Sequence, residues 1–197
     1  MRDAYVMVDR KMIKTVGEHW VCAMLARHDW APALTRDGIA RTDILAVGTK
    51  LPHRPTVEIQ VKAASGGGTR TSWPLGTITQ FAAASQHEWF VLVMIPKLPG
   101  EPRAFVVPRD HASAATWVAH QHWRTDPSIP EGKRNTGLSQ ARIRLSIWER
   151  YENCWDLLGT PTSEVQVRLP DWIRQRAQEQ RVGLPPGHPW GEMLPEW

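Results

Sequence analysis

Between Thr56 and Ser65 the chain reads Thr-Val-Glu-Ile-Gln-Val-Lys-Ala-Ala-Ser, with Glu58, Gln60 and Lys62 at spacing two. Successive side chains of a strand face opposite sides, so a carboxylate, an amide and an ammonium would share one face while Val57, Ile59 and Val61 take the core side. A solvated strand face could carry the same three residues. A further acid, Asp43, abuts the apolar run Ile44-Leu45-Ala46-Val47. A carboxylate there is costly to bury unless it meets a partner or a metal. Another, Glu18, lies in a stretch with apolar residues at Ile13, Val16, Trp20 and Met24 and at Val21 and Leu25. At a helical period Glu18 falls on the border of that apolar face, where it can reach over the edge of the sheet the helix covers.

The order of Glu18 on a helix, Asp43 on a strand and Gln60-Val61-Lys62 on the next strand resembles the PD-(D/E)XK nuclease superfamily. More narrowly, Ile59-Gln60-Val61-Lys62 is similar to the branch in which glutamine replaces the second acid, as in Mrr-like and group I intron-associated endonucleases. The resemblance covers about residues 10 to 110. Thr42 stands where the family pattern has proline, a departure many members tolerate, and Gln60 removes one metal-binding charge. The resemblance implies an α/β chain with a three-layer α/β/α restriction-endonuclease-like fold: a central mixed sheet and a helical C-terminal extension. It also implies Mg²⁺- or Mn²⁺-dependent cleavage of phosphodiester bonds, in DNA, with Glu18, Asp43, Gln60 and Lys62 as catalytic residues.

Such cleavage needs an in-line water and cations that absorb charge developing on the phosphate. On the family pattern Asp43 is the main metal ligand, Gln60 offers an amide oxygen and the Val61 carbonyl completes the protein share. Mg²⁺ keeps several waters and takes only one or two carboxylates. Lys62 would orient the attacking water or neutralise the transition state, and Glu18 would act on the metal directly or through a water. Glu58, on the face of Gln60, could restore the missing charge. Because Asp43 with Gln60 carries one negative charge fewer than a pair of acids, Gln60→Glu is expected to tighten divalent binding.

Several elements must position these groups. Asp9 can cap a helix to about His28. Trp30 to Leu34, 39 to 48 and 56 to 64 read as strands, with Arg36-Asp37-Gly38 as a turn before the second. Gly66 to Gly76 lacks the Gly-Lys-Ser/Thr of a nucleotide loop. It reads as a flexible connector or as a nucleic-acid-binding loop, with Arg70, Thr71 and Ser72 donating to phosphates and Trp73 stacking on a base. Thr77 to Gln86 reads as a helix. Trp89 to Ile95 is a central strand covered on both faces, and Ala104 to Val107 an edge strand ending at Pro108. Asp110 is expected to cap a helix through about Trp123, on which His120 and His122 diverge rather than form a metal pair.

Residues 125 to 197 form the extension, beginning with a polar Pro/Gly loop to Ser139 and packing on the core of residues 1 to 124. Ala141 to Leu145 reads as a short strand, Ile147, Trp148, Tyr151, Trp155 and Leu158 as a helical stripe, and Asp171 as the cap of a helix to about Arg181. The tail from Leu184 to Trp197 is rich in Pro and Trp and is suited to strap across the domain.

Bulk properties bound the rest. The 197 residues suffice for one domain with extensions. A formal charge of +4 and a pI near 9.4 favour a polyanionic partner. Two cysteines are too few for a disulfide framework. No apolar run reaches the ~18 residues that cross a bilayer, so the expectation is a cytoplasmic protein without a membrane partner. A homodimer is left open. The alternative function is a catalytically weak or inactive nuclease-fold protein that binds nucleic acid or a protein partner, and a purely structural α/β domain is the third.

Overall fold

The computed structural model describes residues 9–36, 40–76 and 81–197. The chain is mixed α/β, with a five-stranded mixed sheet and three α-helices among the described residues. Helix α1, Arg10–Arg27, is capped as expected by Asp9, whose carboxylate accepts from the Lys11 N–H at 2.9 Å. Strands β1 (Trp30–Leu34), β2 (Ile44–Gly48) and β3 (Thr56–Ser65) follow as an antiparallel meander. Pro32 is accommodated because β1 is an edge strand. A crossover containing β4 (Ser72–Pro74) leads to β5 (Glu88–Ile95), parallel to β3, and then to the antiparallel β6 (Arg103–Pro108). The order across the sheet is β1-β2-β3-β5-β6.

Helix α2 (Arg109–Arg124) follows β6 directly; β7 (Arg142–Arg144) pairs with β4 as a separate two-stranded ribbon, and α3 spans Asp171–Ala177. The apolar run from Trp89 to Ile95 lies in β5 and is buried as far as Met94, as its composition required of a central strand, with Ile95 half-buried at the end. Alternation on the sheet divides the core. One side gathers Val57, Ile59, Val61, Val91 and Val93 under α1, and the other gathers Phe90, Leu92, Met94, Phe105 and Val107 with α2. No described helix is long and apolar enough to cross a membrane.

The helix α1 lies unusually close to the sheet. Its buried residues are Gly17, Val21 and Leu25, and a Cβ placed on Gly17 would stand 2.6 Å from the Ala63 Cβ. That clash explains a glycine in mid-helix despite its ~1 kcal/mol propensity cost.

Several expectations are corrected. Of the strand expected over 39–48, Ile39 lies outside the described residues and 40–43 are not strand: β2 begins at Ile44, because Arg41 adopts φ 73° and holds the chain out of an extended path. Asp37 and Gly38 lie outside the described residues. The helix expected over Thr77–Gln86 is absent across its described part, 81–86, which forms bends and turns. Its N–H groups go to carboxylates instead: Ala83 donates to Asp110 Oδ1 at 2.8 Å and Ala84 to Glu88 Oε1 at 2.6 Å. Asp110 is thereby committed to this turn and does not cap α2, whose N-cap is Pro108.

The extension is less helical than expected. The stripe from Ile147 to Leu158 is a series of 3-10 turns interrupted at Asn153, with φ 52°. The interruption lets Trp148 and Tyr151 serve one core and Trp155 and Leu158 the other. Helix α3 stops at Ala177 instead of Arg181, and Pro170 rather than Asp171 precedes it. The tail does strap: Trp190, Leu194 and Trp197 pack against the α2-side core. His188 Nε2 lies 3.0 Å from the Asp110 carbonyl.

Candidate functional site

The candidate site is a fork. Strand β2 pairs with β3 from Val47–Thr56 to Ile44–Ile59, and the Asp43 N–H donates to the Ile59 carbonyl at 2.9 Å. Beyond that point β2 departs, and β3 continues to Ser65 without it. Asp43 fills the first vacated place, its Oδ2 accepting from the Val61 N–H at 2.8 Å. N–H and C=O of one strand residue point the same way, so the Val61 carbonyl also faces the fork. Oδ1 of Asp43 has no hydrogen-bond partner among the described residues.

Lys62 and Glu18 border this opening. Burial pushes the Lys62 ammonium below the usual lysine range; Asp43 and, more weakly, Glu18 act against that shift, while Lys14 and Arg109 add to it. These four groups and Lys62 thus lie within electrostatic reach of one another. Glu18 forms an ion pair with Lys14, 3.3 Å away, and its side chain is 17% exposed, the border position read from the helical period. The close contact at Gly17 brings it there.

Gln60 and Glu58 are engaged differently from expectation. Gln60 is buried, and its Oε1 accepts from Arg109 Nη2 at 3.3 Å. Glu58 Oε2 accepts from the Thr42 hydroxyl at 3.0 Å. Among the described residues no three of the His, Cys, Asp and Glu side chains are grouped to hold a metal by themselves. What the fork offers a cation is Asp43 Oδ1 and the Val61 carbonyl. That small donor set suits an ion that keeps most of its waters.

Beside the fork lies a closed charge cluster that sequence reasoning missed. Glu88 Oε2 stands 2.8 Å from Arg41 Nη2 and 2.5 Å from Arg109 Nε. Its Oε1 accepts from the Ala84 and Ser85 N–H groups. Arg109 is 1% exposed and lies over the Phe90 ring, 4.7 Å from its centroid. Burial draws its pKa down to about 10, against the opposing pull of Glu88. A signal existed for Glu88: like Asp43, it abuts an apolar run. Nothing in the sequence marks Arg109 as buried.

In the proposed DNA-binding loop the residues separate. Arg70 is exposed. Thr71 is buried, with its hydroxyl 3.4 Å from the Met94 sulfur. Trp73, expected to stack on a base, is fully buried: its Nε1–H donates to the Val93 carbonyl at 3.1 Å and its ring meets Phe105 edge to face. The polar neighbours of Trp73 in sequence suggested a surface position, and a three-residue strand is too short for its period to show otherwise. His120 and His122 serve structure, His120 against the Thr136 carbonyl at 3.1 Å and His122 against Arg181 at 2.8 Å. Comparison of the chain with protein-family models, with curated proteins and with solved structures finds no match in any of the three.

Proposed function

We propose that the chain is a metal-dependent nuclease with a restriction-endonuclease-like core, hydrolysing phosphodiester bonds in DNA. The observation that carries this reading is the fork, where a carboxylate oxygen without a partner, a strand carbonyl and a partly buried lysine converge beside a helix-borne glutamate. The succession of a helix, three antiparallel strands, a crossover and a parallel strand supports the same reading.

Asp43 and the Val61 carbonyl would hold Mg²⁺ or Mn²⁺, with Glu18 reaching it through a water. A bound divalent ion would neutralise phosphate charge and acidify a water. Lys62 meets the negative phosphate, and its depressed pKa reflects a charge that gains by acquiring such a counterion. The hydrogen bond from Val61 fixes Asp43 before any ligand arrives, so little reorganisation is needed. Arg109 holds Gln60 in place while Glu88 balances the Arg109 charge.

A specific observation favours a second reading. The Gln60 oxygen is taken by Arg109 and adds no charge, which leaves the fork poor in anionic ligands. On that reading the protein is a weak or inactive nuclease-fold protein that binds nucleic acid. Incubation with plasmid and oligonucleotides in Mg²⁺ or Mn²⁺, against EDTA, separates the two. Metal-dependent cleavage that is lost in a folded Lys62→Ala variant is expected. Undiminished cleavage by that variant would reject the mechanism, and absence of divalent binding by calorimetry would favour the binder.

A further inference from the structure

The ribbon of β4 and β7 has two unlike faces. Trp73 and Ile143 are paired in register and point into the core, at 0% and 2% exposure. Their neighbours point outward: Ser72 opposite Arg144, and Pro74 opposite Arg142, with both arginines exposed. Arg70, also exposed, lies just before β4. No acidic residue occurs in 66–76 or in 132–148. Neither Arg70 nor Arg144 has a side-chain partner among the described residues, and Arg142 donates only to Ser72, its Nη2 lying 2.9 Å from the carbonyl and its Nε 3.2 Å from the hydroxyl. Elsewhere in the chain Arg41, Arg103, Arg109, Arg134, Arg176 and Arg181 each meet a carboxylate. Other arginines, Arg10 and Arg27 on α1 for example, also lack a carboxylate among the described residues, but Arg142 and Arg144 share one outward face of a ribbon with Arg70 just before it.

We infer that the outer face of the β4–β7 ribbon, through Arg70, Arg142 and Arg144, binds the phosphate backbone of a nucleic acid and leads it to the fork. The inference deepens the nuclease reading and rests on it for the direction of the strand. Three features support it. The buried Trp73 and Ile143 fix the ribbon as a rigid support, so little order is lost on binding. Arginine forks suit phosphate oxygens, and backbone contacts of this kind set position rather than sequence preference. The location is also apt: Thr71 and Trp73 seat the ribbon on Met94 and Val93, which pair with Ala64 and Ala63, the residues just beyond Lys62 on β3. The tryptophan in the loop therefore supports the surface from beneath instead of touching a base.

The test is fluorescence anisotropy with a labelled DNA duplex in EDTA, so that no cleavage occurs, across a salt titration. The full chain is compared with Arg142→Gln/Arg144→Gln and with Arg10→Gln/Arg27→Gln, which removes the same charge from α1. The ribbon variant should lose about two units from the slope of log affinity against log salt, and about 10- to 100-fold in affinity near 50 mM salt. The α1 variant should change little. Since Arg142 also contacts Ser72, Arg144→Gln alone is a second variant, expected to lose about one unit while leaving the ribbon's internal contacts intact. An unchanged slope in both ribbon variants would overturn the inference, as would wild-type binding to phosphatidylserine vesicles but not to duplex. Ribbon-dependent binding without metal-dependent cleavage would refute the fork and leave the ribbon standing. Cleavage without ribbon dependence would do the reverse.

Discussion

Two charged regions meet where the chain enters β2 beside β3, and they are built in opposite ways. At the start of α2 every charge is closed off: Arg109 and Arg41 share Glu88, whose other oxygen takes two N–H groups. At the fork the charges are held but not consumed, since Asp43 spends one oxygen on Val61 and keeps the other. The same two stretches of chain supply both regions, Arg41 and Gln60 to the closed one, Asp43 and Lys62 to the open one. A cluster whose charges are paired with one another fixes the fold; a carboxylate with an oxygen left over can take a ligand. The difference lies in whether the carboxylate has an oxygen to spare, not in charge count.

The contrast can be broken most forcefully at Arg109. Arg109→Ala would leave Glu88 buried beside a single, partly exposed arginine, and a broken buried ion pair costs about 3–5 kcal/mol. Urea denaturation should show that loss, whereas Lys62→Ala should stay within about 1 kcal/mol of wild type while abolishing cleavage. Equal destabilisation by the two substitutions would erase the distinction.

Acid offers a second, smaller challenge to the closed side. His111, at the start of α2, is 3% exposed, with Nδ1 2.8 Å from the Tyr151 hydroxyl. Tyr151 also accepts from the Arg168 N–H, so its proton is directed to the imidazole. Burial, with a smaller contribution from His188, holds the His111 pKa down to about 3, and burial also lowers that of His188. Between about pH 6.5 and pH 3 the unfolded chain therefore takes up a proton that the folded His111 refuses. Stability is full above pH 6.5 and lost as pH falls, by about 2 kcal/mol at pH 5 from His111 alone. Urea midpoints at pH 7.5 and pH 5 would check this. A flat profile would show that this side of the molecule admits charge.

The smallest effect sharpens the boundary between the regions. On sequence grounds Gln60→Glu should tighten divalent binding, but the new carboxylate would face Arg109. Its charge would be largely spent there, so the gain in Mg²⁺ or Mn²⁺ affinity should stay under about tenfold by calorimetry. A much larger gain would assign residue 60 to the fork.

The legible parts of this architecture were those with a period. The alternation of Val57, Ile59 and Val61, the continuous run from Trp89 to Ile95 and the border position of Glu18 each follow from local geometry, and the structure has them so. Partnerships across the chain were not legible. Arg109 meets Gln60 from 49 residues away, and the turn at 81–86 is shaped by carboxylates from β5 and α2. Over 81–86 helical propensity lost to those acceptors, Glu88 close by and Asp110 at 27 residues from Ala83, and the ribbon's inward tryptophan depends on Ile143, 70 residues later in the chain. No window around either residue contains that information.

Gly17 gives the arrangement a mechanical tolerance. With no side chain between α1 and Ala63, helix and sheet touch backbone to methyl, and Glu18 is the next residue along. A single added methyl would have to lift the helix or push β3, carrying the glutamate away from Lys62. Displacements near an ångström can cost about a hundredfold in rate when reacting groups must stay aligned. The working distance at the fork is thus gauged by an atom the chain omits.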